Sequence, residues 1–281
     1  MTILYPDPFL EVRVDFIDLP VPGAGLCAGY EGGLWRGTQL ADHLFNWLPY
    51  VGLNQEHQFE FGSATFVELL KIACAHIYNT RKTDTRGELG ELLLHLCCIL
   101  HYGTVPVLCK LILKTSSNDT VKGFDGIHIV VTGDTFELWL GESKFYIDGR
   151  SAIREAVKSI EEHIAPAFLS TEKAMVLGHI GPGVPRRADV LRLFKQQTSG
   201  DTLIEMSVFP VLVAYESKSV RSHQQLCDEY TEALRSEVAA LRTYFCTAAK
   251  DLPLRFRLIF VPLGSKQDVI DRFDKKLEAF L

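Results

Sequence analysis

The chain has 281 residues, with 29 Lys and Arg against 35 Asp and Glu, a net charge of −6, and 47% hydrophobic residues. That is ordinary for a soluble globular protein and is enough chain to bury a sizeable core, in one large domain or two small ones. Charge interrupts every apolar run well before about 18 residues, which excludes a membrane-spanning helix, and the acidic balance excludes a general attraction to nucleic acid.

The opening "MTILYPDPFLEVRVD" has no basic segment followed by an apolar signal core, so a cytoplasmic protein is expected. The seven cysteines, at 27, 74, 97, 98, 109, 227 and 246, include no CxxC pair. They read as small core residues rather than a disulfide framework or a zinc knuckle.

Residues 1–80 are mixed and read as a helical and irregular region packed on the remaining chain, 81–281. A Pro/Gly-rich stretch, "LPVPGAGLCAGYEGG", precedes two helical patterns, "TQLADHLFNWLPYVG" and "SATFVELLKIACAHIYNT", with Thr38, Ser63 or Thr65 as candidate caps. From residue 81 the pattern sharpens. Leu89, Leu92, Leu93, Leu96 and Leu100 recur at helical spacing, Glu88 and Glu91 lie three apart on a neighbouring face, and Gly103 stops the helix. Three strands are predicted at 105–114, 123–132 and 135–146, the last two joined by a tight turn at Gly133-Asp134. An amphipathic helix comes next at 149–164, with Ser151 as its cap. After a Gly/Pro-rich loop come a short helix, a strand at 207–217, a helix at 221–249, a strand at 254–263 and a closing helix. This order implies an α/β or α+β sandwich with a mixed central sheet.

The second and third of those strands carry the candidate chemistry. Asp125 lies in "GFDGIHIVV", an apolar setting in which a carboxylate needs a partner or a cation. With sixteen residues between, "LWLGESKFY" places Glu142 and Lys144 two apart, and therefore on one face of a strand. A hairpin of that length brings Asp125 to the same edge. Two carboxylates and an ammonium so arranged suit metal-assisted phosphodiester hydrolysis: the acids hold Mg2+ or Mn2+, and the lysine orients water or stabilises the transition state. Glu88 or Glu91 could supply a further acid. A Glu and a Lys two apart are, on their own, an ordinary surface ion pair. His128, in an apolar strand, reads as a core histidine.

An acidic helix, then "FDG", then "GESK" resembles the PD-(D/E)xK nuclease superfamily with its αβββαβ core, although Phe124 stands where that motif usually has Pro. More closely, "LADHLFNWLP", "RGELGELLLHLC", "KGFDGIHIV" and "LWLGESKFY" resemble the nuclease subunit of the Hachiman antiphage defence system, over about residues 35 to 280. The resemblance implies a metal-dependent DNA nuclease with Asp125 and Glu142 as metal ligands, Lys144 as the catalytic lysine and Glu88 or Glu91 as the helix acid, Glu91 being the one expected to join the metal ligands. It also implies a superfamily 2 helicase subunit as partner. The rival readings are a silent scaffold that docks a helicase and a stand-alone restriction-type endonuclease.

The tripeptide Glu-Ser-Lys recurs at 216–218. No acidic helix and hairpin precede this copy, so it reads as the end of the fourth core strand and the first copy as the site.

Overall fold

The computed structural model describes residues 5–53, 62, 64–78, 86–113 and 123–281. Two strands that the sequence pattern leaves unassigned open it, β1 (Glu11–Asp15) and, inside the Pro/Gly-rich stretch, β2 (Gly23–Cys27). A short hairpin, β3 (Tyr30–Glu31) and β4 (Leu34–Trp35), leads into helix α1 (Gly37–Asn46). The helical pattern of 38–52 divides at Trp47, and α2 (Leu48–Val51) continues it with Pro49 in its first turn. Thr38 lies inside α1, Thr65 directly precedes α3 (Phe66–Tyr78), and Ser63 lies outside the described residues, as does the boundary between 80 and 81.

Helix α4 (Gly87–Tyr102) ends at Gly103, whose left-handed backbone (φ 61°) accommodates the expected stop. The next strand, β5 (Val105–Cys109), is shorter than expected and passes into a 3-10 turn at Lys110–Leu113. Its partner β6 (Gly126–Thr132) begins at Gly126, which pairs with Cys109; one residue further, the Lys110 N–H still donates to the Asp125 carbonyl (3.2 Å) before the chain turns away. β6 turns at Gly133-Asp134 into β7 (Thr135–Phe145), as the sequence indicates. Helix α5 (Gly149–Ile164) is capped by Asp148, not by Ser151: the carboxylate accepts the backbone N–H (2.8 Å) and hydroxyl (2.6 Å) of Ser151.

Helix α6 (Pro166–Leu177) starts with Pro at its first position and occupies a stretch for which the sequence predicts no element. After α7 (Arg187–Phe194) and α8 (Gly200–Glu205) comes β8 (Ser207–Glu216). The helix expected over 221–249 is two, α9 (Lys218–Ser222) and α10 (Asp228–Ala248), and the chain ends with β9 (Arg255–Leu263) and α11 (Lys266–Phe280).

Seven strands form one mixed sheet in the order β1-β2-β9-β8-β7-β6-β5. β2, β9, β8 and β7 run parallel, and the β5-β6-β7 meander and β1 add antiparallel pairs. Helices cover both faces, which is why β8 is buried along nearly its whole length. One apolar cluster joins α1, α3, α4 and α11 to one face, and a second joins α5, α6 and α10 to the other. Five of the cysteines are buried in these layers and all seven are free. No helix among the described residues is long and apolar enough to cross a membrane.

Candidate functional site

The β6-β7 ladder determines which acids meet. Gly126 pairs with Gly141, and the Asp125 N–H donates to the Gly141 carbonyl (2.9 Å), so Asp125 lies directly beside Glu142. The hairpin thus brings together the two residues separated by sixteen in the sequence. Asp125 Oδ2 accepts the backbone N–H (2.8 Å) and hydroxyl (2.7 Å) of Ser143. Its Oδ1 accepts from Lys110 Nζ (3.2 Å), which also donates to the Gly123 carbonyl (3.1 Å). Glu142 and Lys144 share the face towards α5. There Lys144 Nζ donates to Glu142 Oε1 (2.5 Å) and Ser159 Oγ (3.0 Å). Glu142 Oε2 is buried, accepts no hydrogen bond, and stands 3.5 Å from His163 Nδ1.

These side chains are largely removed from water, Glu142 being 2% and Asp125 6% exposed. Burial is the largest single influence on both titrations, yet they separate. Burial and the adjacent Asp125 charge push Glu142 up to about 8, against the opposing pull of Lys144 and Lys110. For Asp125 burial is outweighed by Lys110, Lys144 and the Ser143 hydrogen bonds, which hold its carboxyl below the usual range. Two adjacent carboxylates of which one ionises readily and the other resists is the arrangement expected where like charges share a site. Burial pulls His163 down to about 4, so it stands neutral against Glu142.

A cavity of about 620 Å3 opens at this point, beyond the C-terminal end of β7. The buried Glu91 and Asp125 and the half-buried Lys144 line it, while Glu142, paired with Lys144, does not. Glu88 is buried one turn before Glu91 but does not line the cavity.

The HamA family model matches residues 6–277, nearly the whole chain. The chain belongs to the HamA family. That membership ties it to the Hachiman antiphage defence system and takes in the N-terminal strands as well as the hairpin. No curated protein and no solved structure matches the chain.

The second Glu-Ser-Lys of this HamA chain is built differently. β8 ends at Glu216, and Ser217 caps α9 by accepting the Val220 N–H (3.1 Å), so Lys218 is a helical residue pointing to solvent. Glu216 pairs with Arg221 (2.7 Å) and accepts the Lys266 backbone N–H (2.9 Å). The triplet that lies wholly within a strand presents its acid and base together, and the one split between a strand end and a helix cap does not.

Sequence reasoning missed Lys110, Glu172 and His163. Glu172, on α6, accepts the Phe124 N–H (3.1 Å), and its buried carboxyl is pushed up to about 7 by burial. Gly123 lies against it in the left-handed region (φ 151°), where a Cβ would come within 2.4 Å of the carboxylate. Glu172 and Gly123 together fix the turn that presents Asp125. Pro166 was the available signal for α6, but Lys110 had none, because it reads as one lysine in an apolar strand. His128, as expected, is a core histidine: its Nε2 is 2.7 Å from His95 Nδ1 and its Nδ1 2.8 Å from Thr104 Oγ1.

The donor chemistry fits a hard divalent cation: carboxylate oxygens on Asp125, Glu142 and Glu91, with the buried Glu142 Oε2 accepting no hydrogen bond. Among the described residues, no three acidic, His or Cys side chains gather closely enough to hold an ion as they stand. Two ammonium groups lie against the carboxylates, Lys110 on Asp125 and Lys144 on Glu142.

Proposed function

We propose that the chain is a metal-dependent DNA nuclease of the PD-(D/E)xK type, acting as the effector of its Hachiman system under the control of a superfamily 2 helicase. The pairing of Asp125 with the Glu142-Ser143-Lys144 strand carries this reading. An ionised acid, a second acid poised to lose its proton and a lysine meet at one strand edge, beside a cavity open to a substrate.

Asp125, Glu142 and Glu91 would hold Mg2+ or Mn2+. Bound there, the ion would supply a water of lowered pKa and neutralise charge on the phosphate. Lys144, anchored by Ser159, is placed to donate to the attacking water or to a phosphate oxygen. Ser143 and Lys110 keep Asp125 ionised, and the burial of Asp125 and Glu142 strengthens each of these interactions. A helicase partner accounts for DNA engagement by a chain of net charge −6, and for ATP use by one without a phosphate-binding loop.

The test is cleavage of plasmid and linear DNA by the purified chain, alone and with its co-purified partner, with and without Mg2+. Asp125→Asn and Glu142→Gln, which keep side-chain shape, are expected to abolish cleavage. Metal-independent cleavage, or full activity in either variant, refutes the assignment.

A further inference from the structure

We infer that the outer part of the cavity is a subsite for one unpaired nucleotide, with its base on the Tyr146 ring and its phosphate at the Lys266 ammonium. The inference rests on the nuclease reading and deepens it: the substrate is a single strand, or duplex DNA opened at the point of cleavage.

The cavity changes character along its length. The inner end is acidic and ion-paired, whereas the outer end is formed by Tyr146, Ile147 and Lys266. Tyr146 is 37% and Ile147 63% exposed, an unusual loss of apolar burial in two successive residues that come directly after a buried catalytic strand. Lys266 differs from the site's other lysines. Lys110 and Lys144 are each committed to a carboxylate, whereas no ion pair or hydrogen bond engages the Lys266 ammonium among the described residues. It stands 5.2 Å from the centre of the Phe145 ring and 6.0 Å from that of Tyr146. Glu216, whose charge acts on it, is taken up by Arg221 and by the Lys266 backbone. Burial lowers the pKa of this ammonium, a cost that an incoming anion offsets.

An open aromatic ring beside an uncommitted cation matches the two parts of a nucleotide. Bases stack on aromatic side chains for about 1–3 kcal/mol each, whatever their sequence, but only when removed from the helical stack. The cavity's 620 Å3 lies within the roughly 300–1,000 Å3 of small-ligand sites, room for a single nucleotide. One lysine at a phosphate also gives an acidic chain a local foothold on DNA.

Binding can be read without cleavage, by fluorescence anisotropy of a labelled single strand and of the same sequence as blunt duplex, with Ca2+ replacing Mg2+. The single strand is expected to bind more tightly. Tyr146→Ala should weaken it roughly tenfold or more, and Tyr146→Phe should not. Lys266→Ala should reduce the slope of log affinity against log salt by about 0.7, with Lys266→Arg restoring it; a merely structural lysine leaves that slope unchanged. Equal binding of duplex, no binding of the single strand by the wild type, or indifference to Tyr146→Ala overturns the subsite. A chain that binds single strands in this way yet cuts no DNA refutes the nuclease reading and leaves the subsite standing.

Discussion

Asp125 Oδ2 accepts two hydrogen bonds from Ser143, the middle residue of the triplet that carries Glu142 and Lys144. The serine is therefore not a spacer between an acid and a base. It ties the acid at the head of β6 to the strand bearing the other two groups, while the equivalent Ser217 of the second triplet ties down a helix end. The two copies make opposite predictions. Ser143→Ala removes one hydrogen bond to an ionised carboxylate, of the kind that contributes about 1.5–3 kcal/mol. Cleavage should drop at least several-fold and require more metal. Ser217→Ala loses a helix cap, at about 0.5–2 kcal/mol of stability, with cleavage per folded molecule unchanged. Thermal melts and a metal titration of both variants check this; the reverse pattern would move the site to the second copy.

The Glu142 carboxyl, raised to about 8 by burial and by Asp125, makes metal binding pH-dependent in a definite direction. A cation must displace its proton, so affinity should rise with pH up to about 8 and fall by as much as about tenfold per unit below it. Calorimetry in buffers of different ionisation enthalpy should show about one proton released per ion bound near pH 7. Binding that is flat between about pH 6 and pH 8 contradicts a role for Glu142 as ligand.

Glu172 allows the same reasoning to be applied to stability. Its pKa is raised from 4.5 to about 7, chiefly by burial. Between those values the unfolded chain has released the proton and the folded chain still holds it, so stability falls as pH rises through the window. Glu172→Gln keeps a carbonyl for the Phe124 N–H and removes the titration. Near-equal stability at about pH 5 and a gain at about pH 8, of up to ~3 kcal/mol, is expected in denaturant unfolding. A variant that is less stable at both pH values shows that the carboxylate itself holds the turn.

These residues also show how far the sequence could be read. Period-two spacing placed Glu142 beside Lys144, and the hairpin length placed Asp125 near them, because strand geometry and a two-residue turn leave little freedom. Glu91 and Glu88 could not be separated, since residues three apart on a helix share a face and only packing decides which one reaches the cavity. Lys110 was hidden because its role depends on where β5 loses its partner, a property of β6. β2 was hidden by its glycines, which weaken a strand signal, and it is held in place by its parallel neighbour β9, far away in sequence; β1, a short alternating stretch of five residues, forms as the antiparallel partner of β2.

Lys110 and Lys144 are both buried cations against carboxylates, and their removal should act differently. Lys144 faces the α5 layer and the cavity, bonded to Glu142 and Ser159, and does not hold the turn before β6. Lys144→Ala should therefore lose rate on the order of 100-fold or more, as when a preorganised electrostatic group is deleted, with metal affinity equal or slightly higher. Lys110 instead spans the Gly123 carbonyl and Asp125, with Glu91 and Glu142 adding to the negative field around it. Lys110→Met leaves that field uncompensated, and breaking a buried pair on one side costs about 3–5 kcal/mol. The variant should melt earlier without metal. It should gain more from added Mg2+ or Mn2+ than the wild type does, because a divalent ion meets less repulsion and restores the missing charge. Melting curves over a metal titration separate the two lysines. If Lys110→Met melts early and metal does not rescue it, then Lys110 is only a structural tie, and the carboxylates around it do not form a cation site.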